Sequence, residues 1–250
     1  MDIKQPIIHD RHIVKEAFEL LKSQTEPNIF TQPKDLTIVT CRNKGTMEDR
    51  IIPHLAGYEE TSILEENMKY LGLDLVVLKD DRLPWRNTFK FEMLHKYLNA
   101  WKNGRGYCTT KYFMCLDAID VIFVDDPQNV IEIFKSHNCD ALFMSSSSLD
   151  GYNCMPEVKG WVHNINGDKN RYMNSGVYIG KTSFIKEIVE EAMKYAVPPG
   201  VTMDHYRNYL ASEPKDYPKG SQDQDIFRFL EPKFYPKLKV DYENQMAFRS

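Results

Sequence analysis

The chain has 250 residues, 42% of them hydrophobic and 27% charged, with a formal net charge of -4. That is enough for one enzyme-sized core, and it excludes an overall basic field for capturing nucleic acid or anionic lipid. Five cysteines (Cys41, Cys108, Cys115, Cys139, Cys154) form no C-x-x-C pair, which argues against a zinc ribbon or closed disulfide framework and makes most of them small buried hydrophobes.

The start, "MDIKQPIIHDRHIVKEAF", has no uninterrupted apolar run, and no later stretch approaches 18 apolar residues; the expectation is a cytoplasmic protein with no membrane partner. Residues 1–34 predict a helix from about Arg11 to Ser23 and a loop carrying Pro27 and Pro33, an extension that decorates a domain spanning 35–250. Apolar runs then alternate with helical patterns: "LTIVTC" (36–41), a helix about 60–71, "LDLVVL" (73–78), a helix about 88–102 and "KYFMCL" (111–116). A second series follows: "VIFV" (121–124), a helix from Pro127 to about Ser136, "CDALFMS" (139–145), a long polar loop, "RYMNSGVYIG" (171–180) and a helix about 182–195. This alternation predicts an α/β fold with a mostly parallel central sheet flanked by helices. No internal repeat and no low-complexity tract interrupts it.

"KYFMCLDAIDVIFVDDP" (111–127) carries four aspartates. Asp117 ends an apolar run and Asp120 follows three residues later, so a tight turn can aim both carboxylates at one point outside the carboxyl edge of the sheet. Two hard oxygen ligands there suit Mg²⁺ or Mn²⁺; the alternative is that both only bond turn backbone. Asp125 and Asp126 differ, because Asp126-Pro127 opens a helical pattern and reads as a cap.

"FMCLDAIDVIF" (113–123), "RYMNSGVYIG" (171–180), "DQDIFRFL" (223–230) and "KVDYENQMAF" (239–248), with "VTCRNKG" (39–45) and "LPWRNTFKFEMLHKYL" (83–98), stand in the order and spacing of one family. Over about 35–248 the chain resembles the glycosyltransferase domain of the procollagen lysyl hydroxylase (PLOD-like) family. The resemblance implies a GT-A fold, a UDP-sugar donor (UDP-glucose or UDP-galactose) and Mn²⁺ or Mg²⁺. It implies that Asp117 and Asp120 are metal ligands, with Ala118 between them at the donor. Thr40 matches a position at the nucleotide, or is an ordinary strand-end threonine. Trp85 and Lys90 match a tryptophan and a lysine beside the donor, an indole to cover a ring and a cation for phosphate; alone, they read as packing and a solvated lysine. Asn174, Ser175 and Gly176 match an Asn-Ser-Gly turn facing the sugar, and Gly176 otherwise relieves crowding in a strand. Asp223 and Gln224 match an acidic/Gln pair holding donor hydroxyls or acceptor, with Ser221 or Asp223 as a plain helix cap the alternative.

Three departures follow. Family members carry a third metal ligand, a histidine in a His-x-Asn-Gly stretch near the domain's C-terminus, and no such stretch occurs here; either another residue completes the sphere or two carboxylates, phosphate and water hold the cation. Neither His163 nor His205 is singled out by its spacing. Ile119 takes a place that the animal enzymes fill with an aromatic residue near the uracil, weakening stacking. The missing signal peptide favours a microbial or viral enzyme in the cytoplasm, or host cytoplasm, whose acceptor hydroxyl belongs to a glycan, a protein or a hydroxylated DNA base. For DNA, Arg42, Lys44, Arg50, Lys159, Lys169 and Arg171 can line a groove, or form an ordinary solvated face.

The resulting expectation is a hexosyltransferase, for which the resemblance implies retention, in which the departing diphosphate, steadied by metal and Lys90, takes the acceptor proton; Asp223, Glu157 or Asp204 is the alternative base. A silent GT-A-like scaffold or sugar-binding module is the rival. The D-x-x-D spacing does not match a dehalogenase-like nucleophile, and both G-x-x-x-x-G-K-[ST] and a post-strand G-x-G-x-x-G are missing, which disfavours nucleoside-triphosphatase and dinucleotide readings.

Overall fold

A computed structural model describes residues 4–42, 61–80, 87–102, 105–149, 155–169, 171–196 and 222–249. In chain order the described elements are β1 (Ile7–His9), α1 (Val14–Gln24), β2 (Leu36–Arg42), α2 (Ile63–Leu71), β3 (Val76–Lys79), α3 (Phe89–Asn99), β4 (Trp101–Lys102), β5 (Arg105–Gly106) and β6 (Tyr112–Leu116). They continue with β7 (Val121–Phe123), α4 (Pro127–Ser136), β8 (Ala141–Ser146), α5 (Pro156–Asn166), β9 (Tyr172–Lys181), α6 (Thr182–Ala192), α7 (Asp223–Phe234), β10 (Leu238–Asp241) and β11 (Ala247–Phe248).

The central sheet has the order β10-β8-β9-β6-β2-β3, and only β9 runs against its neighbours. The sheet is therefore mixed but mostly parallel. Its strands bury both faces, as period-2 side chains require: in β6, Tyr112, Met114 and Leu116 join one core while Phe113 and Cys115 join the other. Helices α1, α2 and α4 cover the first face, and α3, α6 and α7 the second. The T-shaped contact of Phe91 with Phe227, 5.0 Å between ring centroids, joins α3 to α7. Each of these wholly buried rings contributes roughly 2–3 kcal/mol.

Helix ends follow local chemistry. Ser62 and Glu65 close a reciprocal capping box at the start of α2, which ends on Gly72 at φ 76°, a left-handed conformation that glycine adopts without strain. Asp126 caps α4 by accepting from the Gln128 amide at 2.8 Å, with Pro127 in the first turn. Asp125 accepts from the Asp126 amide and from Asn129, so both of these carboxylates serve the chain itself, as expected.

Several elements were not anticipated, α5 and β1 among them. The long polar loop contains α5, whose short apolar stripe (Val158, Trp161, Val162, Ile165) is punctuated by Pro156 and Gly160, residues that read as loop. The N-terminal segment does more than carry a helix. Its strand β1 lies in a second, three-stranded sheet between β7, antiparallel, and β11, parallel. Ile7, Ile8, Val14, Phe18 and Leu21 share one core with Val121, Ile122 and Phe123.

Candidate metal and donor site at the carboxyl edge of the sheet

Strand β6 ends at Leu116, and the next four residues turn back into β7. The turn presents Asp117 and Asp120 together, 29% and 18% exposed at their side chains. β7 pairs with β1, whose last residue is His9. Consequently His9 Nε2 lies 3.3 Å from an Asp120 oxygen and 3.9 Å from an Asp117 oxygen. One ligand atom from each of the three falls within 4.8 Å of the others. A second oxygen of Asp120, Oδ1, is buried without a hydrogen-bond partner. A buried carboxylate oxygen left unpaired is costly, and a bound cation removes that cost. The donor set, two hard carboxylate oxygens and an imidazole nitrogen, fits Mn²⁺ well and Mg²⁺ by its oxygens.

Strand β9 closes the other side. Its register against β8 jumps from Phe143↔Tyr178 to Met144↔Asn174, so Ser175, Gly176 and Val177 bulge out of the ladder. Bulges re-aim side chains beside functional sites. Here the Gly176 carbonyl accepts from the Asp117 amide at 2.8 Å, and the Asn174 carboxamide oxygen accepts from the Gly176 amide at 2.8 Å. A Cβ on Gly176 would stand 2.1 Å from His9 Cε1. The glycine makes room for that ring.

Lys90, in the first turn of α3, donates to Asp117 Oδ1 at 2.5 Å and to Asp223 Oδ2 at 3.1 Å. Burial opposes its charge, but Asp117 and Asp223 outweigh burial and hold Lys90 well above the ordinary lysine range. Burial pushes Asp223 up, Asp117 adds to this, and Lys90 opposes it. Burial would also raise Asp120, but His9, then Arg249 and Lys90, prevail and bring it down to about 2. Arg249 Nη1 reaches the His9 ring nitrogens at 3.1 and 3.2 Å. Three carboxylates, Asp117, Asp120 and Asp223, thus gather around the side-chain cations Lys90 and Arg249, which leaves negative charge for a divalent ion to neutralise.

A scan of protein-family models matches residues 59–196, more than half of the chain, to the PLOD GT domain. The chain belongs to the PLOD GT-domain family. A search of curated proteins finds no match. Membership makes the mixed α/β architecture that of a GT-A-like glycosyltransferase domain, and the general activity glycosyltransfer from a nucleotide-sugar donor to an acceptor. Among the described residues, no helix is long and apolar enough to cross a membrane.

Of the residues expected at a PLOD GT-domain site, Asp117, Asp120, Lys90, Asn174, Ser175, Gly176, Asp223 and Gln224 come together at this edge. The contacts above and an approach of the Ser175 amide to the Gln224 carboxamide at 3.4 Å link them. Ala118 is buried, and its carbonyl accepts from the Leu64 amide at 3.4 Å, tying the turn to α2. The Thr40 side chain takes the strand-end alternative: its hydroxyl is wholly buried and donates to the Leu116 carbonyl at 2.7 Å, pinning β2 to β6. Asp223 is the first residue of its helix and not its cap: the cap position is Gln222, with no side-chain cap bond. Arg42 cannot line an open groove, because it is buried against Glu65 at 2.7 Å, and Lys169 pairs with Glu243. Trp85, Ser221, Asp204, His205, Lys44 and Arg50 lie outside the described residues. His163 packs edge-on against Tyr172, and Glu157 is exposed in the first turn of α5.

His9 is the residue that sequence reasoning passed over. Its one local sign is "PIIHD" (6–10), a short β-branched run ending on His-Asp just as "FMCLD" ends on aspartate. A three-residue strand is too short for periodicity to separate from a loop.

Proposed function

We propose that this protein transfers a hexose from UDP-glucose or UDP-galactose to an acceptor hydroxyl, with Asp117, Asp120 and His9 holding a divalent cation and with retention of anomeric configuration. The observation that carries the reading is Lys90, whose ammonium bridges Asp117 and Asp223 and so joins the Asp-x-x-Asp turn to the Asp-Gln helix start. In this reading His9 takes the part that a C-terminal histidine plays in the resemblance above.

When bound, the cation supplies Lewis-acid neutralisation of the donor's diphosphate. The chain's own groups do the rest. Lys90 offers a point charge to the phosphates, so that negative charge growing on the departing UDP meets a fixed cation in a poorly hydrated edge of the sheet. Asp223, 5% exposed at its side chain and engaged by Lys90, acts as a holder of Lys90 and of donor hydroxyls, and not as a free base. That favours the departing diphosphate as acceptor of the proton from the incoming hydroxyl. In this reading Asn174 and Gln224 face the sugar, and the Ser175 amide lies beside them.

The test is UDP release from UDP-glucose and from UDP-galactose by the purified chain, with and without Mn²⁺, since slow donor hydrolysis needs no acceptor. Manganese-dependent release with one sugar preferred is expected. Failure to release UDP, joined to no thermal shift on adding UDP with Mn²⁺, would replace this reading with a silent GT-A-like module.

A further inference from the structure

Arg228, one helical turn beyond Gln224 on α7, is completely buried. Its Nε donates to the Met173 carbonyl at 2.9 Å and its Nη2 to the Ser148 carbonyl at 3.0 Å. It therefore ties α7 both to the residue that precedes Asn174-Ser175-Gly176 and to the segment leaving β8. The same guanidinium faces the Gln224 carboxamide, whose nearer atom lies 3.2 Å from Nη1 and 3.1 Å from Nη2. Two orientations of that amide are available. With its oxygen turned away, Gln224 can accept neutral bonds from Asn174 Nδ2 at 3.0 Å and from the Ser175 amide at 3.4 Å, but its NH₂ is set against a cation. With its oxygen turned in, it accepts two charge-assisted bonds. These outweigh the two neutral contacts, and the turn also removes the NH₂ from the face of the guanidinium.

The choice has a consequence at the site. The inward oxygen sends the Gln224 NH₂ outward, 3.0 Å from Asn174 Nδ2, while Asn174 Oδ1 is held by the Gly176 amide. Two donor groups then converge beside the Ser175 amide with no acceptor between them. Such a convergence is relieved by an oxygen that accepts from both.

We propose that Arg228 is a positioning residue that fixes Gln224 as a hydrogen-bond donor, so that Gln224 and Asn174 together hold one oxygen of the transferred sugar. This rests on the function proposed above. It differs from a merely structural role for Arg228 because it assigns the guanidinium an effect on the sugar half of the donor and none on the UDP half.

The experiment compares the wild type with Arg228→Met, Gln224→Ala, the double variant and Gln224→Glu, reading kcat and KM for Mn²⁺-dependent UDP release, UDP affinity with Mn²⁺, and Tm. Arg228→Met is expected to lower kcat at least tenfold with UDP affinity within about twofold, and the double variant to be no slower than Gln224→Ala. Gln224→Glu keeps an acceptor for Arg228 but removes the NH₂; it should lose kcat to a similar degree without a fall in Tm, which separates positioning from folding. Additive losses in Arg228→Met and Gln224→Ala, or full kcat in Gln224→Glu, would overturn the assignment while leaving the glycosyltransferase reading intact. A wild type without Mn²⁺-dependent release overturns that reading, and this proposal with it.

Discussion

The sharpest perturbation is a single methyl group at Gly176. This glycine is not among the residues with positive φ, so alanine meets no backbone strain. The added Cβ would instead stand 2.1 Å from His9 Cε1, 2.7 Å from Nε2 and 2.8 Å from Nδ1. Carbon atoms in contact sit about 3.5–4.0 Å apart, so the ring must retreat by about 1.4 Å or more. It has little freedom to do so, with Met144 Sδ 2.9 Å from Nδ1 and an Asp120 oxygen 3.3 Å from Nε2. Metal–ligand distances tolerate roughly 0.2 Å, so the displaced imidazole ceases to be a ligand although no ligand atom has been deleted. Gly176→Ala is therefore expected to weaken Mn²⁺ binding by at least the ~10–100-fold typical of losing a supporting group. It should also destabilise the metal-free protein by about 1–3 kcal/mol through overpacking. Titration of Mn²⁺ by electron paramagnetic resonance in the presence of UDP, beside thermal melts without metal, reads both. Combining it with His9→Ala should return the metal-free melt toward that of His9→Ala alone and leave Mn²⁺ affinity low. Wild-type Mn²⁺ affinity in Gly176→Ala would refute the reasoning outright.

Replacing both Asp117 and Asp120 by asparagine should abolish Mn²⁺-dependent UDP binding in calorimetry while far-ultraviolet dichroism stays native. Lys90→Met leaves Asp117 and Asp223 facing one another without their shared cation; breaking a buried pair in this way costs about 3–5 kcal/mol, visible in urea melts, and Mn²⁺ should recover part of it. Glu65 gives a pH signature: burial would raise it, but the Ser62 amide and Arg42 outweigh burial and hold it below its ordinary value of 4.5. A carboxylate depressed in the folded state contributes stability that is present above its unfolded pKa and is lost as pH falls through the folded one. The difference in Tm between wild type and Glu65→Gln should thus be wide at about pH 6 and close on acidification below about pH 4; a gap that stays constant across this range would exclude the pairing as its source.

The alternation of "LTIVTC", "LDLVVL" and "KYFMCL" with helical patterns was legible because β2 and β6 are buried on both faces, the half-buried edge strand β3 keeps an apolar run, and each helix has one apolar side. Those are the conditions under which composition and period report structure. The cap at Asp126-Pro127 was legible for a related reason, since the bond it makes reaches only two residues. Thr40 was left between two readings because a strand-end position does not say which way a hydroxyl turns. Its partner, the Leu116 carbonyl, is 76 residues away. Helix α5 escaped because Pro156 and Gly160 punctuate its short apolar stripe and read as loop.

His9 belongs to a different order of difficulty, and its place in the fold explains why. It is 108 residues from Asp117 in sequence, and nothing local to either segment implies the other. The link is topological. The Asp-x-x-Asp turn must be followed by β7 to leave the sheet edge, β7 offers an unpaired side, and β1 fills it antiparallel, Ile7 against Phe123 and His9 against Val121. β11 then pairs with the other side of β1, Ile7 beside Ala247, and brings Arg249 to the ring. The candidate third ligand is thus held in place by strands from the middle and the end of the described chain, and its orientation by the side chain that Gly176 lacks. A segment that sequence reading treats as decoration can carry a ligand only if it is docked as firmly as the sheet it meets. The fully buried Ile7, Ile8 and Val14, packed on Ile122 and Phe123, provide that docking. On this argument, cutting β1 away costs the metal centre before it costs the central sheet. Limited removal of residues 1–12 should therefore abolish Mn²⁺ binding while the β6–β9 amides keep their protection from hydrogen exchange, and loss of that protection would show instead that β1 is needed for the sheet itself.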